Sequence, residues 1–310
     1  MKIVHIVPGS GGTFYCENCL RDSALIRTLR ERGHDAVRVP MYLPAYDTVD
    51  EGTDDAPVFF GGINTYLQHK IPLFRRTPRW IDRLFDAAAL LKMAASRAGS
   101  TRAAGMGGMT LSVLQGESGF HRKELDRLAA WLEAEGRPDV VHLSSLLLVG
   151  LAREIKRRLK APVICTVQDE DTWLDALDAP YDRRCWEAIR ARAADLDALI
   201  FVSQAFAQRL SRRVPIDPPR AHVVHVGIDL TGYRRSALPM DPPVIGYLSK
   251  MSADLGLGTL VEAFIRLRAE APRRVRLRVM GGATGDDARF VRRLRRALAR
   301  AGLEEDAEFL

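Results

Sequence analysis

From Lys2 to Val7 the chain alternates and is rich in Val and Ile, and it stops at Pro8-Gly9-Ser10-Gly11-Gly12. That is the pattern of a strand running into a turn. Leu20, Ala24, Leu25 and Leu29 then recur at helical spacing, with Gly33 placed to close the helix as a C′ residue. Asp35 to Pro40 reads as a second strand. The chain therefore opens as a β-turn-α-β unit, and such crossovers within one sheet are nearly always right-handed and parallel. Buried strands are predicted again at Asp139 to Leu143, Pro162 to Val167, Ala198 to Val202 and Ala221 to Val226. Helices are expected between them at Leu146 to Leu159, Arg183 to Ala194 and Gln204 to Arg212. This alternation predicts a doubly wound α/β sheet.

Residues 57 to 136 interrupt the rhythm. They hold a predicted helix from Arg79 to Ser96, a Gly/Ala/Ser stretch from Ala98 to Gly108 and a second helix from His121 to Glu135. Insertions of this kind usually line or cover a site. Leu230 to Pro243, with Gly232, Pro239 and Pro242-Pro243, reads as a linker between a first domain (1–229) and a second unit (244–310). In the second unit the expected order is strand Val244 to Leu248, helix Gly258 to Ala269, strand Val275 to Met280, helix Asp286 to Ala301, and the start of a third strand at Ala307 to Leu310. A parallel sheet that stops at its third strand buries little surface, so the second unit is expected to be part of a larger domain.

Composition narrows the function classes. The 310 residues are 47% hydrophobic and 27% charged, which excludes disordered and collagen-like chains. The most apolar region, Val140 to Ala152, is broken by His142, Ser144 and Ser145 and is too polar for a membrane span. The N-terminal apolar run is too short for a signal-peptide core, so the expected location is cytoplasmic. Four cysteines do not make a disulfide scaffold in a chain of this length. The formal net charge is +7, with 39 Arg against 7 Lys, and this points to phosphate-rich partners or to a general taste for Arg on solvated helices. The last helix carries Arg at 289, 292, 293, 295, 296 and 300, read as spread around it, a composition compatible with anionic lipid or phosphate. No nucleic-acid module or aromatic stacking platform accompanies it.

Chemistry concentrates at predicted strand ends. Gly11 and Gly12 sit between a strand and a helix N-terminus, where backbone N–H groups can approach an anion, or where a tight turn forms without a ligand. The pattern does not complete G-x-G-x-x-G, because position 14 is Phe, and no P-loop occurs. Cys16-Glu17-Asn18-Cys19 opens the same helix, and its thiols are open to a redox, metal or purely structural reading. Gln168-Asp169-Glu170-Asp171 follows a strand at the edge where ligands of open α/β folds bind. It could orient sugar hydroxyls or simply cap the next helix. His142 reads equally as a site residue or as a satisfied core histidine, and His225 as structural. Glu262 and Glu270, a Glu-x7-Glu spacing, lie on an ordinary amphipathic helix and are taken as coincidence.

In their order and spacing these pieces resemble the retaining glycosyltransferases of family 4, which have the two-Rossmann GT-B fold. The resemblance rests on Gly11-Gly12, Asp139 to His142, Thr166 to Asp171, Phe201-Val202-Ser203 and Val223 to Asp229. In the second unit it rests on Ile245 to Lys250, Gly256-Leu257, Leu260 to Phe264 and Leu277 to Gly282. It implies a hexose moved from a nucleotide-diphosphate sugar to a saccharide or lipid-linked acceptor with retention, and no metal cofactor. It implies an acceptor and diphosphate side at Gly11, Gly12, His142, Gln168 and Asp169, and a donor side at Ser249, Lys250, Gly281 and Gly282. The sequence departs from the family in three places. Lys250 stands where an Arg is usual, Leu255 where a Lys is usual, and Gln168 where a His is usual. The family's own carboxylate pair falls beyond Leu310. The alternatives are a catalytically incomplete binding protein for a glycan or anionic lipid, and a thiol or metal protein built on Cys16 and Cys19. Peripheral contact with the inner membrane face is a further expectation, from charge alone.

Overall fold

The computed structural model describes residues 1–8, 17–42, 59–60, 103, 105–234, 241–270, 273–283 and 287–310. The predicted helix from Arg79 to Ser96 lies outside these residues, as do Gly11, Gly12, Cys16 and the side chain of Cys19. The chain divides into two compact units, Met1–Asp229 and Leu230–Leu310.

The first unit is built on a six-stranded sheet in the order β2-β1-β3-β4-β5-β6. Its strands are β1 (Lys2–Val7), β2 (Asp35–Pro40), β3 (Val140–Leu143), β4 (Val163–Val167), β5 (Ala198–Phe201) and β6 (Ala221–Val223). Every pairing is parallel. Val141, Leu143, Val163, Cys165, Val167, Leu199 and Phe201 are all inaccessible to solvent, as expected where helices cover both faces of a parallel sheet. The last strand departs from expectation. Predicted as buried through Val226, β6 pairs only over Ala221–Val223, and Val224 and Val226 are exposed. It is the sheet's edge, so its apolar residues have one neighbouring strand and no cover beyond it.

The helices show where periodicity misleads. In α1 (Glu17–Glu31) the residues turned to the sheet are Asp22, Ile26 and Leu29, with Ile26 packed against Ile3 and Ala36. Leu20, counted in the predicted apolar stripe, is exposed. Gly33 does close the helix with φ +82. The region predicted as one helix from Leu146 to Leu159 is a 3₁₀ segment, Leu146–Leu151, followed by α4 (Ala152–Leu159). The chain tightens there because it is pressed against α2 (Gly107–Gln115), a helix that the Gly-rich sequence did not suggest. Ahead of α4 stands α3 (Arg122–Ala134), and α5 (Glu170–Asp175), α6 (Tyr181–Arg192) and α7 (Gln204–Ser211) complete the layers.

Three glycines permit that packing. A Cβ on Gly107 would stand 2.4 Å from the Cβ of Tyr181 on α6, and one on Gly116 (φ +58) would stand 2.0 Å from the Gly150 carbonyl oxygen. A Cβ on Gly150 would meet two backbone oxygens, Val113 O at 2.0 Å and Leu114 O at 2.7 Å. Backbone cannot rotate away as a side-chain tip can.

The second unit has the parallel sheet β7-β8-β9, made of β7 (Val244–Leu248), β8 (Arg276–Met280) and β9 (Ala307–Phe309). Two helices cover it, α8 (Leu257–Glu270) and α9 (Ala288–Arg300). Its core is small: Leu257, Val261, Phe264, Leu277, Val279, Leu294 and Leu298 are buried. Asp306 ties the sheet to α8, accepting from Arg268 Nη2 at 2.8 Å and Arg274 Nε at 2.5 Å. Burial alone would raise its pKa, but the two guanidiniums outweigh that and lower it. Among the described residues no helix is long and apolar enough to cross a membrane.

Gly150→Ala is expected to destabilise the first unit by about 3 kcal/mol, because the methyl must displace backbone in a filled core. A thermal melt should show a loss of about 6–12 °C for a unit of this size. Gly227→Ala, whose Cβ meets nothing within 4 Å, should leave the melt unchanged.

Candidate functional site

In the first sheet the strand order reverses between β1 and β3, which in open α/β folds marks the crevice for ligands at the carboxyl ends of the strands. The register of these two strands sets His5 beside His142. Their side chains therefore share a face, with ring centroids 4.5 Å apart. His5 is fully buried, and its Nε2 lies 3.3 Å from Asp22 Oδ1 on α1. His142 Nε2 lies 2.7 Å from Thr166 Oγ1 on β4. Burial pushes the His142 pKa well down, and the charges of His5 and Arg21 push it further. At neutral pH His142 is an uncharged, hydrogen-bonded imidazole. For Asp22, burial alone would raise the pKa. The close approach of His5 and the hydrogen-bonded Arg21 guanidinium outweigh that and hold the carboxyl below its ordinary value.

Arg21 links this pair to the loop after β4. Its Nε and Nη2 donate to Asp22 Oδ1 at 3.0 and 2.7 Å, and Nη2 also donates to the Ser144 carbonyl at 3.0 Å. Its Nη1 donates to Gln168 Oε1. A guanidinium can only donate, so Gln168 must present its oxygen to Arg21. Gln168 Nε2 accordingly donates to Asn18 Oδ1 on α1. Asn18, Arg21 and Asp22 occupy one face of α1 at the spacing i, i+3, i+4. That polar face was the available sequence signal for Arg21 and Asn18. It was obscured because an apolar template passes over a buried Asp.

The acidic run after β4 separates into distinct roles. Glu170 is buried, and its carboxylate accepts from Leu146 N at 2.9 Å, Ser145 Oγ at 3.1 Å and Gln168 N at 2.9 Å. It joins the loops after β3 and β4 and is not available to a ligand, which corrects the reading of this run as one hydroxyl-orienting cluster. Burial raises its pKa, with the backbone donors opposing. Asp171 is held by Arg209 Nε at 2.9 Å. Asp169 is the member that faces solvent. The protein around its carboxyl raises its pKa by desolvation, with Gln168 and Arg21 opposing and Asp171 adding. The free thiols of Cys165 and Cys185 are buried. Burial raises both pKa values, to about 11 for Cys185. Among the described residues no cluster of His, Cys, Asp and Glu could hold a metal ion.

The second unit brings its predicted residues together at the same edge of its own sheet. Ser249 N donates to Met280 O at 3.2 Å, and Met251 N to Gly282 O at 2.9 Å, so the loops after β7 and β8 lie side by side. Gly281, at φ +145, allows this: a Cβ there would stand 1.9 Å from Ser249 O. Lys250 Nζ lies 3.7 Å from Asp287 Oδ2, and Tyr247 Oη donates to the Lys250 carbonyl at 2.9 Å. Gly256, in the left-handed region at φ +79, turns the chain into α8. Glu262 and Glu270 lie on the exposed side of that helix.

Residues 110–231 match the family model described as Glycosyltransferase Family 4. The match marks this stretch of the first unit as similar to that family. The D-inositol 3-phosphate glycosyltransferase of Stackebrandtia nassauensis is 29% identical over 194 residues, covering 59% of this chain and 40% of that protein. The chain thus aligns with less than half the length of this relative. Among solved structures, the sucrose-phosphate synthase of Thermosynechococcus elongatus matches with a TM-score of 0.63 at 14% identity. Anabaena Alr3699/HepE in complex with UDP matches with 0.57 at 16% identity. Each match covers 100% of this chain, and 70% and 69% of those chains respectively. At such identities the likeness is one of fold, and that fold is GT-B.

The lowered pKa of His142 makes a prediction about acid stability. A native pKa below the unfolded value means that the unfolded chain binds the proton first. The contribution is therefore complete above the ordinary histidine value of 6.5 and is lost as pH falls below it. Denaturant titrations should show stability declining between pH 7 and 5 by up to about 1.4 kcal/mol per pH unit from this one group. His142→Gln, which cannot titrate, should flatten that slope.

Proposed function

We propose that the protein transfers a hexose from a nucleotide-diphosphate sugar to a saccharide or lipid-linked acceptor, with retention of the anomeric configuration. The observation that carries this reading is the site at the β1–β3 switch point, set within a unit of which residues 110–231 match the family 4 model. There a charged and amide-rich surface made of Arg21, Gln168, Asn18 and Asp169 is fixed by hydrogen bonds before any ligand arrives. Hydroxyl-rich acceptors are read by such groups, because each sugar hydroxyl needs both a donor and an acceptor to replace water.

The donor is assigned to the second unit. In the reaction the bond between the anomeric carbon and the diphosphate oxygen breaks, and a bond to an acceptor oxygen forms while that oxygen loses its proton. Negative charge builds on the departing diphosphate. Lys250 supplies a cation at the strand end. The first N–H groups of α8, entered through Gly256, supply donors and the positive end of the helix dipole. Beside Gly281, Gly282, where a Cβ would meet nothing within 4 Å, leaves room for a phosphate to meet backbone and not side chain. Leu255 offers no charge, so Lys250 carries the electrostatic part of this grip among the described residues of the loop. Support for a nucleotide-sugar donor comes from Alr3699/HepE, which has been solved with UDP and with UDP-glucose.

The test is donor binding and turnover by the protein as its native source makes it, using a panel of nucleotide-diphosphate sugars. Lys250→Ala is expected to weaken donor affinity by about tenfold, the value of one charge-assisted contact. Asp169→Asn is expected to leave donor affinity unchanged and to lower kcat/KM for the acceptor. Unchanged donor affinity in the Lys250 variant would remove it from the site. Glycan binding without any transfer from the panel would favour a binding protein derived from this family.

A further inference from the structure

Five of the six arginines of α9 form an ordered feature, in contrast to the expected spread of all six around the helix. At about 100° per residue, Arg289, Arg293, Arg296 and Arg300 fall within an arc of about 60°, and Arg292 widens it to about 100°. All are exposed, while Leu294 and Leu298 on the opposite side are buried. The stripe runs about 17 Å along the helix at 1.5 Å per residue, and α9 contains no acidic residue.

Several arginines elsewhere in the same unit differ from these in having a carboxylate partner. Arg268 and Arg274 are neutralised by Asp306, Arg278 by Glu308 and Arg273 by Asp241. In the first unit Arg21, Arg127, Arg158, Arg192 and Arg213 likewise have carboxylate partners. Among the described residues no carboxylate lies within ion-pair distance of the α9 stripe. Its ring contacts are Arg293 over Phe290 at 5.6 Å and, off the stripe, Arg295 over Phe309 at 5.0 Å. Residues 230–310 hold 15 basic and 10 acidic side chains, and so carry most of the chain's net charge of +7.

We propose that the α9 stripe is a docking surface for an anionic phospholipid bilayer. The partner follows from charge and shape. Charges spaced along the crest of a convex helix can all reach a flat anionic surface at once, whereas the backbone of a nucleic acid is usually followed by a groove with aromatic platforms. The one aromatic ring against the stripe is covered by Arg293. The apolar face of α9 is spent in the core of its own unit, so adsorption is electrostatic, shallow and salt-sensitive, unlike the insertion of a free amphipathic helix. None of the stripe residues is among those assigned to sugar transfer, and the proposal does not rest on that assignment.

The experiment is co-sedimentation of the full chain with phosphatidylcholine vesicles, with and without phosphatidylglycerol. Binding is expected only to the anionic vesicles, and it should fall more than about tenfold between roughly 0.05 and 0.5 M NaCl. The triple variant Arg293→Glu, Arg296→Glu, Arg300→Glu should lose binding by more than about tenfold. Replacing the same three residues by Lys should keep it. A control with the same change in net charge, Arg32→Glu, Arg183→Glu, Arg212→Glu, uses exposed positions of the first unit and should bind nearly as the unmodified protein does. Equal loss in the control, salt-independent binding, or no preference for anionic vesicles would overturn the proposal. Tighter binding to duplex DNA than to vesicles at equal phosphate concentration would overturn it in favour of a nucleic-acid partner.

Discussion

A single buried carboxyl sets the geometry of the edge at the carboxyl ends of β3 and β4. Glu170 accepts from the backbone N–H groups of Leu146 and Gln168 and from the hydroxyl of Ser145. Two of these donors are backbone groups that would otherwise be left unpaired in a dry interior, so the anion and the donors each remove the other's desolvation cost. Consequences extend outward from it. With the backbone of Gln168 fixed, its amide is set between Arg21 and Asn18. With Arg21 held by Gln168, Asp22 and the Ser144 carbonyl, α1 is tied to the ends of both β3 and β4. Asp169 is left as the neighbouring acid that faces solvent. A cluster that looks uniform in sequence is thus divided into a buried structural carboxyl at Glu170, an ion-paired one at Asp171 and an exposed one at Asp169.

Much of the fold was legible because a parallel sheet covered on both faces demands continuous apolar runs, and this chain supplies them at β1, β3, β4 and β5. The turn residues punctuated those runs, and Gly33 closed α1 where a left-handed residue was needed. Illegible features have a common cause: the residue's role depends on a neighbour distant in sequence. Gly150 forces the chain into a 3₁₀ path only because Val113 and Leu114 lie against it. Gly107 stands in a Gly/Ala/Ser stretch with no helical signal until α6 is in place to need a close approach. Asp22 breaks an apolar stripe because His5, on another element, is its partner. In β6 the same Val-rich composition that signals burial elsewhere lies at an edge, which local pattern cannot reveal.

The site was legible in the same partial way. Strand-end reasoning located His142, Gln168 and Asp169 at one edge, and the family resemblance named Ser249, Lys250, Gly281 and Gly282, which lie in the loops at the carboxyl ends of the second sheet's strands. It did not find Arg21 or Asn18, whose side chains reach the edge from a helix, nor did it separate Glu170 from Asp169. Net charge was also a coarse guide. The whole-chain excess of Arg hides a division between arginines consumed by Asp and Glu partners and, among the described residues, exposed ones without such a partner, five of which are gathered along one side of α9.

The two sheets organise their ligand edges by different means. In the first unit the edge is defined by side chains: a guanidinium, two amides, a neutral imidazole and a carboxyl, each orientation fixed by its neighbour. In the second it is defined mainly by backbone, with Gly281 brought against Ser249 O and Gly256 turning the chain into α8. On the proposed function this difference follows from what each edge must recognise. A diphosphate presents the same oxygens in every donor, so backbone N–H groups and one cation suffice. Acceptors differ in the placement of their hydroxyls, and discrimination among them needs groups whose donors and acceptors point in set directions. The non-titrating amide of Gln168, locked between Arg21 and Asn18, meets that need. It offers one N–H and one lone pair in fixed directions across the whole pH range in which an imidazole at the same place would change its charge.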